Sequence, residues 1–278
     1  MKFQVVSIII SRLLLVDSVI AFPMTAQRQI RHKSRQLSRS VNRESYLPQI
    51  TSLSGDIIPD HNSGNIYSSN WAGAVLIGTS FTSVTAHFIF PTPKIPPEGS
   101  TSQQYCACAW IGIDGHTCHT AILQTGVSFC ISGTSISYQA WYEWFPEPGG
   151  FFDNITIASG DKIRVTDNAS SQTSGTATVE NLTNGDIVTR VFNGAMSGTL
   201  CEYNAEWIVE DFSESGNQVP FADFGAITFS NAIATGGGLV LGPSTATLMD
   251  LIQDNTVLTS TSLTSTSVTL DSITVRYI

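Results

Sequence analysis

The chain has 278 residues, with 13 basic and 22 acidic side chains and a formal charge of −9. The charge is unevenly placed: from Trp71 onward five Lys or Arg residues face 18 Asp or Glu, a formal −13. A body this acidic lacks the clustered cations that hold phosphate backbones, which excludes nucleic-acid binding of that kind, and its self-repulsion favours a monomer.

Residues 1–21 have the form of a secretory signal: Lys2, an apolar stretch through Val5, Val6 and Ile8–Ile10, then Val19-Ile20-Ala21 as a small-residue cleavage site. Arg12 and Asp17 interrupt that stretch. No later run approaches the ~20 apolar residues that span a bilayer, so the expectation is an extracellular protein with no membrane partner. Three sequons, at Asn154, Asn168 and Asn181, are compatible with export.

Residues 22–65 form a second compositional zone, in which Arg28, Arg31, Lys33, Arg35, Arg39 and Arg43 stand among Gln, Ser and Asn. Such a segment cannot bury a core by itself. It is either a linker or, the favoured reading, a basic propeptide that pairs with the acidic body as an inhibitor and lets go when carboxylates protonate.

Residues 66–278 read as one all-β domain. Val84, Ala86, Phe88 and Phe90 alternate with polar or smaller neighbours, as do Ile163 with Val165, Ala177 with Val179, and the run from Val268 to Tyr277. Asn184-Gly185-Asp186 marks a hairpin, and Gly236-Gly237-Gly238 a turn. No 3.6-residue periodicity persists over three turns. Many short strands with turn signals between them predict an antiparallel sandwich or barrel.

Five cysteines, Cys106, Cys108, Cys118, Cys130 and Cys201, fit one or two disulfides in an oxidising compartment. Cys106, Cys108, His116, Cys118 and His119 lie close together in the chain, but their spacing is not that of a structural zinc site, and neither metal nor cofactor is expected. A bridge between Cys118 and Cys201 is favoured. The pairing of Cys106, Cys108 and Cys130 stays open. No G-x-S-x-G elbow is present, which argues against a serine hydrolase.

Aromatic, acidic and amide residues concentrate in a few segments: Ser69-Asn70-Trp71-Ala72-Gly73, Trp110 to Gly115, Thr120 to Val127, Ala140-Trp141-Tyr142-Glu143-Trp144, and Asn204 to Glu210. Strand alternation puts Trp141 and Glu143 on one face, and Glu206 and Ile208 on one face. These five segments, in this order, resemble the glutamic peptidases (the eqolisin family of fungi) from about Asn70 to the C-terminus. The resemblance implies a sandwich of two curved antiparallel sheets, polypeptide substrates, and acid endopeptidase activity that pepstatin does not inhibit. By the same resemblance Gln124 and Glu206 are the catalytic pair, and Trp71, Trp110, Asp114, Trp141, Tyr142 and Glu143 line or support the cleft. Gln139 departs from the pattern where an acid is expected. Two other readings use the same Trp and Glu residues: a glycoside hydrolase with Glu143 and Glu206 as its acid and base, and a carbohydrate-binding module stacking sugars on the tryptophans. Neither needs Gln124 or a basic leader.

Overall fold

A computed structural model describes residues 43–44, 47–50, 64–194, 197–214, 216–266 and 269–278. The expected signal peptide and most of the basic segment therefore lie outside the described residues. Two large sheets build the domain. We label the main strands β1 (Ile66–Ser68), β2 (Trp71–Ile77), β3 (Phe81–Ile89), β4 (Gln104–Ile113), β5 (Ile122–Ser132), β6 (Ser135–Phe145), β7 (Lys162–Ser171), β8 (Ser174–Asn181), β9 (Ile187–Phe192), β10 (Asn204–Glu210), β11 (Ala226–Gly236), β12 (Thr247–Gln253), β13 (Thr259–Thr266) and β14 (Thr269–Tyr277).

The first sheet runs Thr256–Val257, β12, β2, β10, β4, β5, β6, Gly150–Phe151, with β1 added to β12. The second runs β9, β8, β7, β3, β11, β14, β13, with Leu239–Leu241 paired to β11. All these pairings are antiparallel except β1 with β12. Strand β10 enters the first sheet between β2 and β4, far from its neighbours in sequence. The two hairpin signals hold: β8 turns into β9 with Gly185 at φ 85°, and β11 turns into Leu239–Leu241 with Gly237 and Gly238 both at positive φ.

Alternation assigns the faces. Ala72, Ala74, Ala109, Ile111, Leu123, Val127, Ala205, Trp207 and Val209 meet Val84, Ala86, Phe88, Ile163, Val165, Ala177 and Phe229 of the other sheet in the core. Edge-on rings extend this contact, among them Phe90 with Phe129 at 5.9 Å and Phe129 with Phe224 at 6.4 Å. Burying each of these large side chains contributes about 1.5–3 kcal/mol. Trp207 also ties the sheets by a hydrogen bond, its Nε1–H donating to the Thr85 carbonyl at 3.1 Å.

The first sheet is unusual in burying its other face as well. Trp71, Val75, Cys106, Cys108, Trp110, Ile122, Trp141, Ile208 and Met249 form a second apolar cluster there, and every residue of β10 is buried. That doubly buried sheet is where the chemistry collects.

The sequon at Asn181 serves the fold. Its buried amide donates to Thr156 O and Asp161 Oδ2, both at 2.8 Å, which removes it as a glycan acceptor in the folded chain.

Candidate active site

Strand register brings the candidate residues into rows. At one level across the first sheet, Val75 faces Glu206, Glu206 faces Gly112, Gly112 faces Gln124, and Gln124 faces Glu143. Gln124 and Glu206 are thus two strand spacings apart, about 10 Å between Cα positions. Only a glycine stands between them. The next level runs Gly73, Ile208, Trp110, Gly126, Trp141, and the one after it Trp71, Glu210, Cys108, Ser128, Gln139. Because side chains two apart on a strand share a face, all three rows present one surface, with the tryptophans beside the row of acids and amide.

Gln124 is fully buried. Its Nε2 donates to Glu143 Oε2 at 2.7 Å, and its Oε1 is buried without a hydrogen-bond partner. Glu206 is also fully buried; its Oε1 accepts the backbone N–H of His116 at 3.0 Å, and its Oε2 has no partner. Burial pushes the Glu206 carboxyl well above the usual range, and the nearby Asp114 and Glu210 charges push it the same way, against the His116 hydrogen bond. Two acceptor oxygens without protein partners therefore belong to residues flanking bare backbone.

The turn after β4 holds Glu206 in place. Asp114, at φ 69°, accepts backbone N–H bonds from Cys201, Glu202, Tyr203 and Asn204 at 2.7, 2.8, 2.7 and 3.2 Å. Those residues lead directly into β10. Burial raises the Asp114 pKa, although the four donors oppose it. Asn204 Oδ1 in turn accepts from Thr117 N and Oγ1 at 2.8 and 3.0 Å. A Cys118–Cys201 disulfide closes the same turn onto the start of the β10 segment.

Trp71 and Trp110 meet edge-to-face at 4.8 Å, and Trp110 Nε1–H donates to Glu210 Oε2 at 3.0 Å. Trp110 fits because its row neighbour is Gly126: a Cβ there would lie 2.4 Å from the Trp110 Cβ. Trp141 completes the cluster. Tyr142 does not join it. Alternation turns its ring to the opposite side of β6 from Trp141 and Glu143, against Phe152 at 4.8 Å and under Arg190. It supports the strand from the core side and does not line the row.

Glu210 and Gly112 were not singled out by the sequence. Glu210 lies four residues from Glu206 on the same strand, so alternation alone places it on the same face. The zinc grouping loses two donors, since Cys106 bonds Cys130 and Cys118 bonds Cys201. Cys106 and Cys130 are direct cross-strand partners. The remaining cysteine, Cys108, is buried with its Sγ 3.6 Å from Glu210 Oε2.

Residues 69–272 match the model of the peptidase A4 family. The chain belongs to that family. It is 47% identical over 277 residues to aspergillopepsin-2 of Aspergillus niger, covering 93% of this chain and 95% of that one. Its fold superposes on scytalido-glutamic peptidase bound to a transition-state analog inhibitor with a TM-score of 0.68, at 40% identity, covering 76% of this chain and 98% of that one. An eqolisin in complex with the tripeptide Ala-Ile-His matches with a TM-score of 0.65 at 39% identity, over the same shares. The chain is therefore a peptidase of the glutamic kind with the expected two-sheet architecture. The glycoside-hydrolase and carbohydrate-module readings fall away. Among the described residues no helix is long and apolar enough to cross a membrane.

Proposed function

We propose that this A4 peptidase is a secreted acid endopeptidase, made as a zymogen, in which Gln124 and Glu206 activate one water against a peptide bond. The observation that carries the reading is the shared register of both residues on Gly112. A water donating one hydrogen to Glu206 Oε2 and the other to Gln124 Oε1 satisfies both orphaned acceptors and lies over the glycine backbone. Glu206 as carboxylate takes a proton from that water as the oxygen attacks the scissile carbonyl, then returns it to the leaving nitrogen. Gln124 has two N–H donors; one is fixed on Glu143, and the other is available to the tetrahedral oxyanion. Glu143 and Asp114 are positioning residues, the first for the Gln124 amide and the second for the entry into β10. Trp71, Trp110 and Trp141 are buried in the full chain, with Leu47 packed against their cluster; once that segment leaves, they offer extended polypeptide a broad apolar surface with little side-chain selectivity.

Burial serves the proton return. Proton return to a leaving amine requires a Glu206 whose neutral form is accessible, and burial with two acidic neighbours supplies that.

The leader reading draws on the few described residues before β1. The Gln49 N–H donates to Asn70 Oδ1 at 2.9 Å, the Ser69 N–H donates to Gln49 O at 3.0 Å, and Ile50 bridges Ser68. Leu47 packs against the cluster that contains Trp71, Trp110 and Trp141. A chain segment lying on that cluster is in the way of substrate, which supports an inhibitory role for residues 22–65. The signal at 1–21 supplies secretion.

Acidifying the full chain to about pH 3–4, in the ordinary carboxylate range, tests this when a denatured protein substrate is followed by mass spectrometry. Wild type sheds residues before β1 and releases peptides, while Glu206→Gln does neither. Release of peptides by Glu206→Gln at the wild-type rate contradicts the reading.

A further inference from the structure

The bend between β1 and β2 is built from Ser68, Ser69 and Asn70. Ser68 Oγ donates to Asn70 Oδ1 at 2.9 Å and accepts the Trp71 N–H at 3.2 Å. Gln218 and Gln253 each donate through Nε2 to Ser69 O, at 3.1 and 3.0 Å, and Asn70 O accepts the Asp211 N–H at 2.9 Å. The bend is therefore tied to the end of β12 and to the chain leaving β10. It fixes the Asn70 side chain, which is buried, toward a segment 21 and 23 positions upstream.

Both ends of the Asn70 carboxamide bind backbone. Its Oδ1 accepts the Gln49 N–H at 2.9 Å, and its Nδ2 donates to Leu47 O at 3.4 Å. In an extended chain the C=O of one residue and the N–H of the second residue after it point the same way. An amide side chain, with acceptor and donors side by side, matches that pair whatever the sequence. Pro48, between the two, has no N–H and needs none there. The Ser69 N–H adds a bond to Gln49 O at 3.0 Å, and Ile50 lies antiparallel to Ser68. Only Leu47 contributes a side chain to the Trp71, Trp110 and Trp141 cluster. Main-chain bonds supply the hold and an apolar side chain supplies the contact, as when an added strand is recognised.

We propose that Asn70 is a substrate-binding residue of this peptidase, whose carboxamide reads the backbone of an extended polypeptide at the place that Leu47 to Gln49 occupy in the full chain. The inference rests on the reading of the cleft and leader given above and adds a subsite remote from the attacking water. Trp71 faces Glu210 and Glu210 faces Cys108, four residues along β4 from Gly112. That separation is about 13 Å, so a substrate must extend about four residues from the scissile bond to reach Asn70. Backbone recognition suits a cleft that discriminates little between side chains. Asn70 fixes the height of the peptide, and the cluster takes the large apolar side chain that falls on it. Leader and substrate then compete for one amide, without the leader having to touch Gln124 or Glu206.

Inhibition of the full chain after acidification, with a synthetic peptide of residues 43–50 as the probe, tests it. The peptide should raise KM for a long substrate and leave kcat unchanged. Leu47→Ala within the peptide should weaken inhibition at least about tenfold, and N-methylation at Gln49, which removes the donor to Asn70, about tenfold. Both changes leave the enzyme itself unaltered, so no folding defect enters. Asn70→Ala in the enzyme should raise KM about tenfold, with kcat within about threefold, on a substrate extending about six residues to either side of the scissile bond. On a substrate extending about three residues, too short to reach the subsite, neither constant should change. A structural defect would depress both substrates alike. Glu206→Gln tests the catalytic pair separately: activity there overturns that pair and leaves this subsite standing. Wild-type cleavage that the peptide does not inhibit, equal inhibition by the parent and altered peptides, or an Asn70→Ala enzyme with no loss or an equal loss on the two substrates overturns the assignment of Asn70.

Discussion

Gln124 and Glu206 are aligned across the sheet on the same residue, Gly112, one strand to either side of it. The two are 82 positions apart in sequence, yet the β10–β4 and β4–β5 registers leave no freedom in their relative height. Moving either strand by one residue would send its functional side chain into the core.

Gly112 follows as the first test. A Cβ at this position would come within 3.0 Å of the Trp110 ring, 3.2 Å of Leu123 O and 3.3 Å of Gln124 Cβ. These are tight but yielding contacts, so Gly112→Ala should fold. It displaces Gln124 and intrudes where the water is proposed. A displacement near 1 Å costs on the order of 100-fold in rate, so kcat should fall by one to two orders of magnitude with the melting temperature nearly unchanged.

Asp114 couples stability to catalysis. Asp114→Asn keeps the size of the side chain but replaces one acceptor oxygen by a donor facing backbone N–H groups. A buried polar mismatch of this kind costs about 1–3 kcal/mol, readable in urea denaturation. The same change removes a negative charge that raises the Glu206 pKa. The acid limb of the kcat/KM profile, where the Glu206 base protonates, should therefore move to lower pH. A purely structural role would lower stability and leave that limb in place.

Much of the architecture is legible in the chain. The alternation at Val84–Phe90, the turn signals at Gly185 and Gly236–Gly238, and the pairing of Trp141 with Glu143 on one face all follow from period-two patterning. Tyr142 shows what motif matching overlooks: standing between Trp141 and Glu143, it must point the other way, and it does. Gly112 and the His116 N–H were hidden for a different reason. Their roles depend on β10 inserting between β2 and β4, a non-local pairing that no local pattern announces. Cys106 and Cys130 were undecidable from spacing because their bond also depends on the β4–β5 register.

Stability should fall as the pH rises from acid to neutral. Asp211 is buried and its pKa is raised to about 8, by burial first and then by Glu210, against the Gln253 hydrogen bond. Asp167, fully buried in the core, and Glu206 are both raised well above the ordinary range, in each case chiefly by burial. A carboxyl raised in the folded state binds its proton more tightly than in the unfolded chain. Its stabilisation is complete below the unfolded value near 4 and is lost as pH climbs toward the folded value. The urea midpoint should drop steadily between pH 4 and pH 8. Asp211→Asn should flatten the upper part of that decline. A midpoint that rises over this range contradicts the assignment.

The Cys118–Cys201 bridge closes a separation of 83 residues, so its loss should cost about 2–5 kcal/mol. Because Cys201 N also donates to Asp114, the Cys118→Ser, Cys201→Ser protein should lose kcat as well as melting temperature, measured side by side at one acid pH.

The most direct measurement is kcat/KM on one oligopeptide at acid pH, with pepstatin present, for Gln124→Ala, Glu206→Gln, their double variant and Glu143→Gln. The account predicts losses of at least about 10³-fold for each of the first two and a double variant no worse than the poorer single, since residues acting on one water are not additive. Glu143→Gln should lose about tenfold, having disturbed only the orientation of the Gln124 amide. Activity of Glu206→Gln within tenfold of wild type, or equal collapse in Glu143→Gln and Glu206→Gln, would contradict the assignment of Gln124 and Glu206 as the catalytic pair.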